Sequence, residues 1–310
     1  MALLPRTAAL LTTVTQCRAL SQRAGARYLL VDGHNLIYRA FYAMPQLSRS
    51  GDRPVGAVMG VANTFLKLAL PYSRVVFCLD PKGPGWREEL CASYKETRPK
   101  MPPELRPQVA DAAAVARAFS AAVVCVDGYE ADDVIATLAA RHRGEGVDVL
   151  TGDKDLLQLA AYDGVRILDP QGDPVDAAKK FGVPPGRIGD YLALVGDASD
   201  NVPGVKGIGE KGAAKLILEY GTLDALIAAA DDIKAKKARE GLQQNARGDG
   251  FDENRRFILK RAATIPANVA SPANKDREAS SLAKRGRFES APKFSDSLWK
   301  HSTRGWARER

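Results

Sequence analysis

The chain has 310 residues, 45% of them apolar and 26% charged, a globular composition that excludes a disordered or collagen-like chain. Its 45 Lys and Arg against 37 Asp and Glu leave a net charge of +8, which suits a polyanionic partner or a basic targeting segment without choosing between them. Four cysteines with no CxxC pair exclude a disulfide scaffold and a local zinc site, and no apolar run reaches the roughly 18 residues of a transmembrane helix.

Met1 to Val31 contain no Asp or Glu and carry Arg6, Arg18, Arg23 and Arg27 among Ala, Leu, Ser and Thr. This predicts an organellar transit peptide over 1–27, mitochondrial in preference to plastid. A secretory signal is the rival reading, and the arginine-spaced second half disfavours it. The folded part is expected to begin near Arg27 or Tyr28.

Tyr28 to Val31 is an apolar burst that predicts a buried strand, with Asp32 opening a functional loop. Val55 to Leu70 has helical spacing and ends at Pro71. Strands are predicted at Arg74–Leu79, Ala122–Val126, Val147–Leu150 and Val165–Leu168. Helices are predicted at Val109–Phe119 and Ala131–His142. This alternation predicts an α/β domain over 28–174 with an open, largely parallel sheet. From about Val175 short helical pieces alternate with Gly and Pro, giving a helical lobe over 175–269. Residues 270–310 read as a basic disordered tail.

Acidic residues follow the predicted strands, where parallel sheets bind ligands. Asp32 and Asp80 stand alone. Glu130, Asp132 and Asp133 open a helix, Asp153 and Asp155 follow a strand, and Asp197 and Asp200 precede a glycine-rich turn. A single Asp is more often a cap or a turn residue. Packed carboxylates repel one another and stay ionised only beside compensating cations, so five such clusters predict a shared site for hard divalent ions such as Mg²⁺ or Mn²⁺. Two such ions suit phosphodiester hydrolysis. Pro203 to Lys211 contains Gly204, Lys206, Gly207, Gly209 and Lys211, with Lys215 beyond. Glycines allow close backbone approach to phosphate, and the following helix start attracts an anion, so this turn predicts a non-specific grip on a nucleic-acid backbone. Trp86 to Arg106 interleaves aromatics with cations, which suits single-stranded nucleic acid.

These motifs occur in one order: LLVDGHNLIYRAFYA, LDPKG, YKETRP, MPPELRPQ, GYEADDVIATLA, TGDKDLLQL, GDASDNVPGVKGIGEKGAAKLI and EYGTLDAL. Together they resemble the 5′→3′ exonuclease domain of bacterial DNA polymerase I, within the flap-endonuclease family, from Tyr28 to about Ala270. The resemblance implies a PIN-like parallel-sheet nuclease domain with a helical arch, then a lobe bearing a helix-three-turn-helix DNA-binding element. It implies that Asp32, Asp80, Glu130, Asp132 and Asp133 belong to a first metal cluster. Asp153, Asp155, Asp197 and Asp200 would complete a second, so that two Mg²⁺ or Mn²⁺ ions are bound. Arg87, Tyr94, Lys95 and Arg98 match the arch through which a 5′ single strand is threaded, with Lys95 reaching the scissile phosphate. The glycine turn would grip duplex DNA, with K⁺ bound there.

The implied substrate is double-stranded DNA with a 5′ flap or nick, or RNA-primed DNA, cleaved by a monomer with no membrane partner during organellar replication and repair. The chain departs from the family pattern at Pro81, Pro84 and Gly212. About forty residues follow the matched region, so a standalone nuclease without a polymerase domain is expected. Two alternatives are a PIN-like ribonuclease, disfavoured by the arch and the glycine turn, and a non-catalytic nucleic-acid-binding protein of an organellar assembly, disfavoured by the carboxylates.

Overall fold

The computed structural model describes residues 27–44, 47–49 and 53–246. The expected transit peptide (apart from Arg27), the expected tail and the end of the helical lobe lie outside these residues. Strand β1 (Tyr28–Asp32) runs into helix α1 (Gly33–Ala43), followed by a short antiparallel ladder of β2 (Ser48–Arg49) and β3 (Arg53–Pro54). Next come α2 (Gly56–Leu68), β4 (Arg74–Leu79), α3 (Trp86–Leu90), α4 (Arg106–Ala118), β5 (Ala122–Cys125), α5 (Ala131–His142), β6 (Val147–Leu150) and β7 (Val165–Leu168). The remainder is helical: α6 (Ala177–Phe181), α7 (Ile188–Val195), α8 (Glu210–Tyr220), α9 (Leu223–Ala228) and α10 (Lys236–Ala246).

The main sheet is parallel throughout, in the order β5-β4-β1-β6-β7. From central β1 the chain builds outward to β4 and β5, then crosses to build β6 and β7 on the other side. The switch in direction beside β1 opens a crevice at the strands' carboxyl ends, where such sheets place their ligands. Alternation along β1 divides the core. Tyr28 and Leu30 pack with α5 and the later helices, while Leu29 and Val31 pack with α1, α2 and α4. Each fully buried Leu or Val contributes roughly 1.5–3 kcal/mol. Ile188, Leu192, Ala213, Ile217 and Leu226 of the helical region share the first of these cores, so that region is continuous with the sheet domain.

The loop expected after Asp32 is helix α1. Asp32 caps it, accepting a hydrogen bond from the Asn35 N–H at 3.1 Å. Gly33 allows the tight start, because a Cβ there would lie 2.5 Å from the Cys78 carbonyl oxygen on β4. The expected helical arch is also corrected. Helix α3 ends at Leu90, the chain proceeds by turns to Arg98, and Lys95 has φ +55°. Pro99, Pro102 and Pro103 delay regular helix until α4, since each removes a backbone donor.

Candidate active site

The carboxyl edge of the sheet gathers acids from four elements. Asp32 ends β1 and accepts from Thr151 Oγ1, which follows β6, at 2.8 Å. Asp80, just past β4, accepts from the Ala131 N–H at the start of α5 at 2.7 Å, and its own N–H donates to His34 Nδ1 at 3.0 Å. Asp153 binds back to Thr151 through its N–H, and its Oδ1 accepts from the Asp155 N–H at 2.8 Å. Burial, then the charge of Asp132 and more weakly that of Asp153, push the Asp32 carboxyl well above the usual carboxylate range, against hydrogen bonds from Thr151 and Asn35. The acids of this edge also reach the buried Cys78 thiol, which burial first and then Asp32, Asp132 and Asp80 push up.

A second group lies at the start of α5. Arg87 is 1% exposed, one of the largest fully buried side chains among the described residues. It donates to both oxygens of Asp133 at 2.7 Å and to Glu130 Oε2 at 3.0 Å. Asp133 also accepts from Trp86 Nε1 and from the Glu130 N–H, both at 3.2 Å. Buried Tyr94 places its hydroxyl 3.3 Å from Glu130 Oε2 and 3.2 Å from Asp200 Oδ2. Burial and these two carboxylates push its phenol pKa up, so it stays protonated. Lys95 pairs with Glu130 Oε1, and Arg98 with Asp200. The expectation that Arg87 and Tyr94 line a strand-threading arch is therefore corrected. Both side chains point into the protein, and only Lys95 and Arg98 reach solvent.

Asp197 and Asp200 come from the loop after α7. Burial pushes the Asp197 carboxyl up, but hydrogen bonds from Ser199 and the Lys154 ammonium at 3.2 Å outweigh it and hold it below the usual range. Lys154, Ser199 and Trp86 were not singled out from sequence. The signal for Lys154 is its place between Asp153 and Asp155.

The donors of this edge are carboxylate oxygens. Among the described residues, no three His, Cys, Asp or Glu side chains already face one another at metal-ligand spacing. Arg87, Lys95, Arg98 and Lys154 hold several of the carboxylates. At the other end Asp32 is buried beside Asp132 and Asp153, and burial first, then these two charges, raise its carboxyl. All-oxygen donors with surplus negative charge fit a hard divalent cation.

The glycine turn joins α7 to α8. Gly204 packs so closely that a Cβ would lie 2.1 Å from the Val195 carbonyl oxygen, and Gly207 adopts φ +89° against Lys237. Gly209 precedes α8 and faces open space, while Val205 and Ile208 anchor the turn in the core. Lys206, Lys211 and Lys215 are exposed. The turn thus presents a helix start and nearby ammonium groups to solvent.

A parallel sheet with a carboxylate-lined switch point, followed by a glycine turn and a lysine-bearing helix start, is an arrangement suited to a hard divalent cation beside a phosphate backbone. Two family models cover most of the chain: "5′-3′ exonuclease, N-terminal resolvase-like domain" matches residues 27–182, and "5′-3′ exonuclease, C-terminal SAM fold" matches 183–274. The chain belongs to the 5′-3′ exonuclease family. It is 43% identical over 256 residues to DNA polymerase I of Pseudomonas aeruginosa, covering 79% of this chain and 28% of that protein. It is 44% identical over 214 residues to the thermostable DNA polymerase I of Thermus aquaticus, covering 67% and 26%. The chain thus spans about a quarter of these relatives' length.

Among solved structures, it matches the T5 5′-exonuclease with bound divalent metal ions (zinc) at TM-score 0.66 and 19% identity, covering 82% of this chain and 98% of that one. A bacteriophage T5 flap endonuclease pseudo-enzyme-product complex with DNA and metal ions matches at TM-score 0.63 and 20% identity, covering 83% and 99%. These matches correct the PIN-like expectation: the fold is the α/β parallel-sheet fold of the 5′ nucleases. Strand–helix alternation is common to many parallel-sheet folds, so the sequence pattern does not separate them.

Proposed function

We propose that the chain is a metal-dependent 5′-3′ exodeoxyribonuclease and structure-specific flap endonuclease acting on branched or nicked DNA. The observation that carries this reading is the meeting of Asp32, Asp80, Asp132 and Asp153 from separate elements at one sheet edge, where Asp132 and Asp153 add to burial in raising the Asp32 carboxyl. Asp32, Asp80, Glu130, Asp132, Asp153, Asp155, Asp197 and Asp200 would hold two divalent ions, Mg²⁺ or Mn²⁺, with Asp133 behind them. Such ions supply charge neutralisation and water activation for in-line phosphodiester hydrolysis, which leaves a 5′-phosphate and a 3′-hydroxyl. Lys95 and Arg98 border solvent at the site and serve to bind the scissile phosphate and offset its developing charge. Lys206, Lys211, Lys215 and the start of α8 hold the duplex by its backbone, with K⁺ at the glycine turn.

We extend the proposal to a monomer acting on RNA-primed as well as flap DNA in organellar replication and repair, in the mitochondrion before the plastid. The acid-free, arginine-bearing N-terminal sequence supports the location. Fusing residues 1–27 to a fluorescent reporter tests it, and a diffuse cytosolic signal would remove it. For the activity, 5′-flap DNA and a matched single-stranded RNA are incubated with the protein and Mg²⁺. Flap cleavage near the junction supports the proposal, whereas cleavage of the RNA alone would replace it with a ribonuclease.

A further inference from the structure

Arg87 and Tyr94 are the two buried side chains of the Trp86–Arg98 segment that meet the same oxygen. Glu130 Oε2 lies 3.0 Å from Arg87 Nη1 and 3.3 Å from the Tyr94 hydroxyl, while Oε1 pairs with partly exposed Lys95. The carboxylate is thereby oriented with one oxygen toward the interior and one toward the open side of the site. Tyr94 also reaches Asp200 Oδ2 at 3.2 Å, and a hydroxyl has only one proton to share between the two acceptors.

The backbone around Tyr94 is fastened to the same loop. The Lys95 N–H donates to the Asp200 carbonyl at 3.1 Å, and Asn201 Nδ2 donates to the Ser93 carbonyl at 2.8 Å. Lys95 and Asn201 take the left-handed conformations, φ +55° and +58°, that bring these strips of chain together. Glu130 belongs to the sheet domain and Asp200 to the loop between α7 and α8, within the helical region. Tyr94 is therefore the shared contact between acids contributed by two parts of the chain.

We infer that Arg87 and Tyr94 are positioning residues, not strand contacts: Arg87 fixes the orientation of Glu130 through its fork on Asp133, and Tyr94 sets the spacing between Glu130 and Asp200. This rests on the reading of the carboxylate edge as a divalent-metal site. It adds a specific consequence, namely that removing one buried hydroxyl alters metal affinity while leaving the DNA grip in place.

The full chain and its Tyr94→Phe variant are titrated with Mn²⁺ alone, free Mn²⁺ being followed by its electron paramagnetic resonance signal. Binding to 5′-flap DNA is measured separately in Ca²⁺. Tyr94→Phe is expected to keep its circular dichroism spectrum and to bind DNA within twofold of the parent, while its Mn²⁺ affinity falls about tenfold, in the range seen when a ligand's outer partner is lost. Because Arg87→Met alone strands the Asp133 charge, the paired variant Arg87→Met/Asp133→Asn is used, whose amide oxygen can still accept from Trp86 Nε1 and the Glu130 N–H. It is expected to fold and to show the same Mn²⁺ defect. Arg87→Lys, which keeps the charge but not the fork, is expected not to restore affinity. Unchanged Mn²⁺ binding in Tyr94→Phe, or a loss of DNA affinity with Mn²⁺ binding intact, would overturn the inference while leaving the nuclease reading in place. A parent protein that binds no Mn²⁺ and cleaves no flap would overturn the nuclease reading itself.

Discussion

Arg87 and Asp133 meet in a two-point ion pair with both N–O distances at 2.7 Å, although 46 residues separate them in sequence. The pair joins α3, at the base of the segment bearing Lys95 and Arg98, to the first turn of α5, which carries Glu130 and Asp132. A buried fork of this kind gives directional order more than net stability. The cations proposed to hold a phosphate and the acids proposed to hold metal are thus parts of one braced unit.

Gly33 is set by space rather than by backbone conformation. A Cβ would lie 2.5 Å from the Cys78 carbonyl oxygen and 2.7 Å from a Leu79 methyl carbon. Gly33→Ala is expected to lower stability by about 1–3 kcal/mol, the usual range for overpacking. Thermal unfolding followed by circular dichroism reads this, and a Tm equal to the parent's would show that α1 does not press on β4.

Asp148 occupies the other end of the sheet, fully buried, with Arg27, Arg166 and Tyr72 around its carboxylate at 2.6 to 2.9 Å. Burial pushes its pKa up, but the hydrogen bonds from Arg166, Arg27 and Tyr72 outweigh it and hold the carboxyl below its usual value. A depressed folded pKa contributes stability that is complete above the unfolded value, near 3.9, and is lost as pH falls below it. Asp148→Asn is therefore expected to be less stable than the parent at pH 6, with the gap closing below about pH 4. Urea unfolding at a series of pH values measures the gap, and one that stayed constant across the range would contradict the ion-pair account.

Lys211 is exposed in the first turn of α8, and no base-reading contact is assigned to it. Lys211→Ala is expected to weaken flap-DNA binding about equally across sequences and to reduce the slope of log K against log salt by about one. Unchanged binding and slope would remove the glycine turn from the duplex grip.

Much of this architecture was legible in the sequence. The five strands of the parallel sheet follow the apolar bursts from Tyr28 to Leu168: β1 and β4 are buried almost along their length and so are apolar, while the flanking β5, β6 and β7 keep enough Val, Leu and Ile to be read. Helix α1 was not legible: Gly33 and Asn35 carry a loop signature, and only the capping role of Asp32 and the contact with Cys78 explain them. Asp32, Asp80, Asp153 and Asp155 were legible from their position after the strands, Glu130, Asp132 and Asp133 from a helix start, and Asp197 and Asp200 from the glycine-rich turn they precede. The inward turn of Arg87 and Tyr94 was hidden, since a basic and an aromatic residue in a Pro-rich excursion look the same whether they face solvent or an internal carboxylate. The Lys154–Asp197 pair was hidden too, because only the fold brings the loop after β6 beside the loop after α7.

The central claim is that the acidic edge acts through metal in phosphodiester cleavage, and Asp153→Asn tests it most directly. Asp153 follows β6 at the edge that carries Asp32, and the substitution removes a charge while nearly preserving shape. Binding of 5′-flap DNA is measured in Ca²⁺ and cleavage of the same DNA in Mg²⁺. The account predicts binding close to the parent's and cleavage reduced by about a hundredfold or more, the scale expected when transition-state charge stabilisation is removed. Cleavage at the parent rate would contradict it.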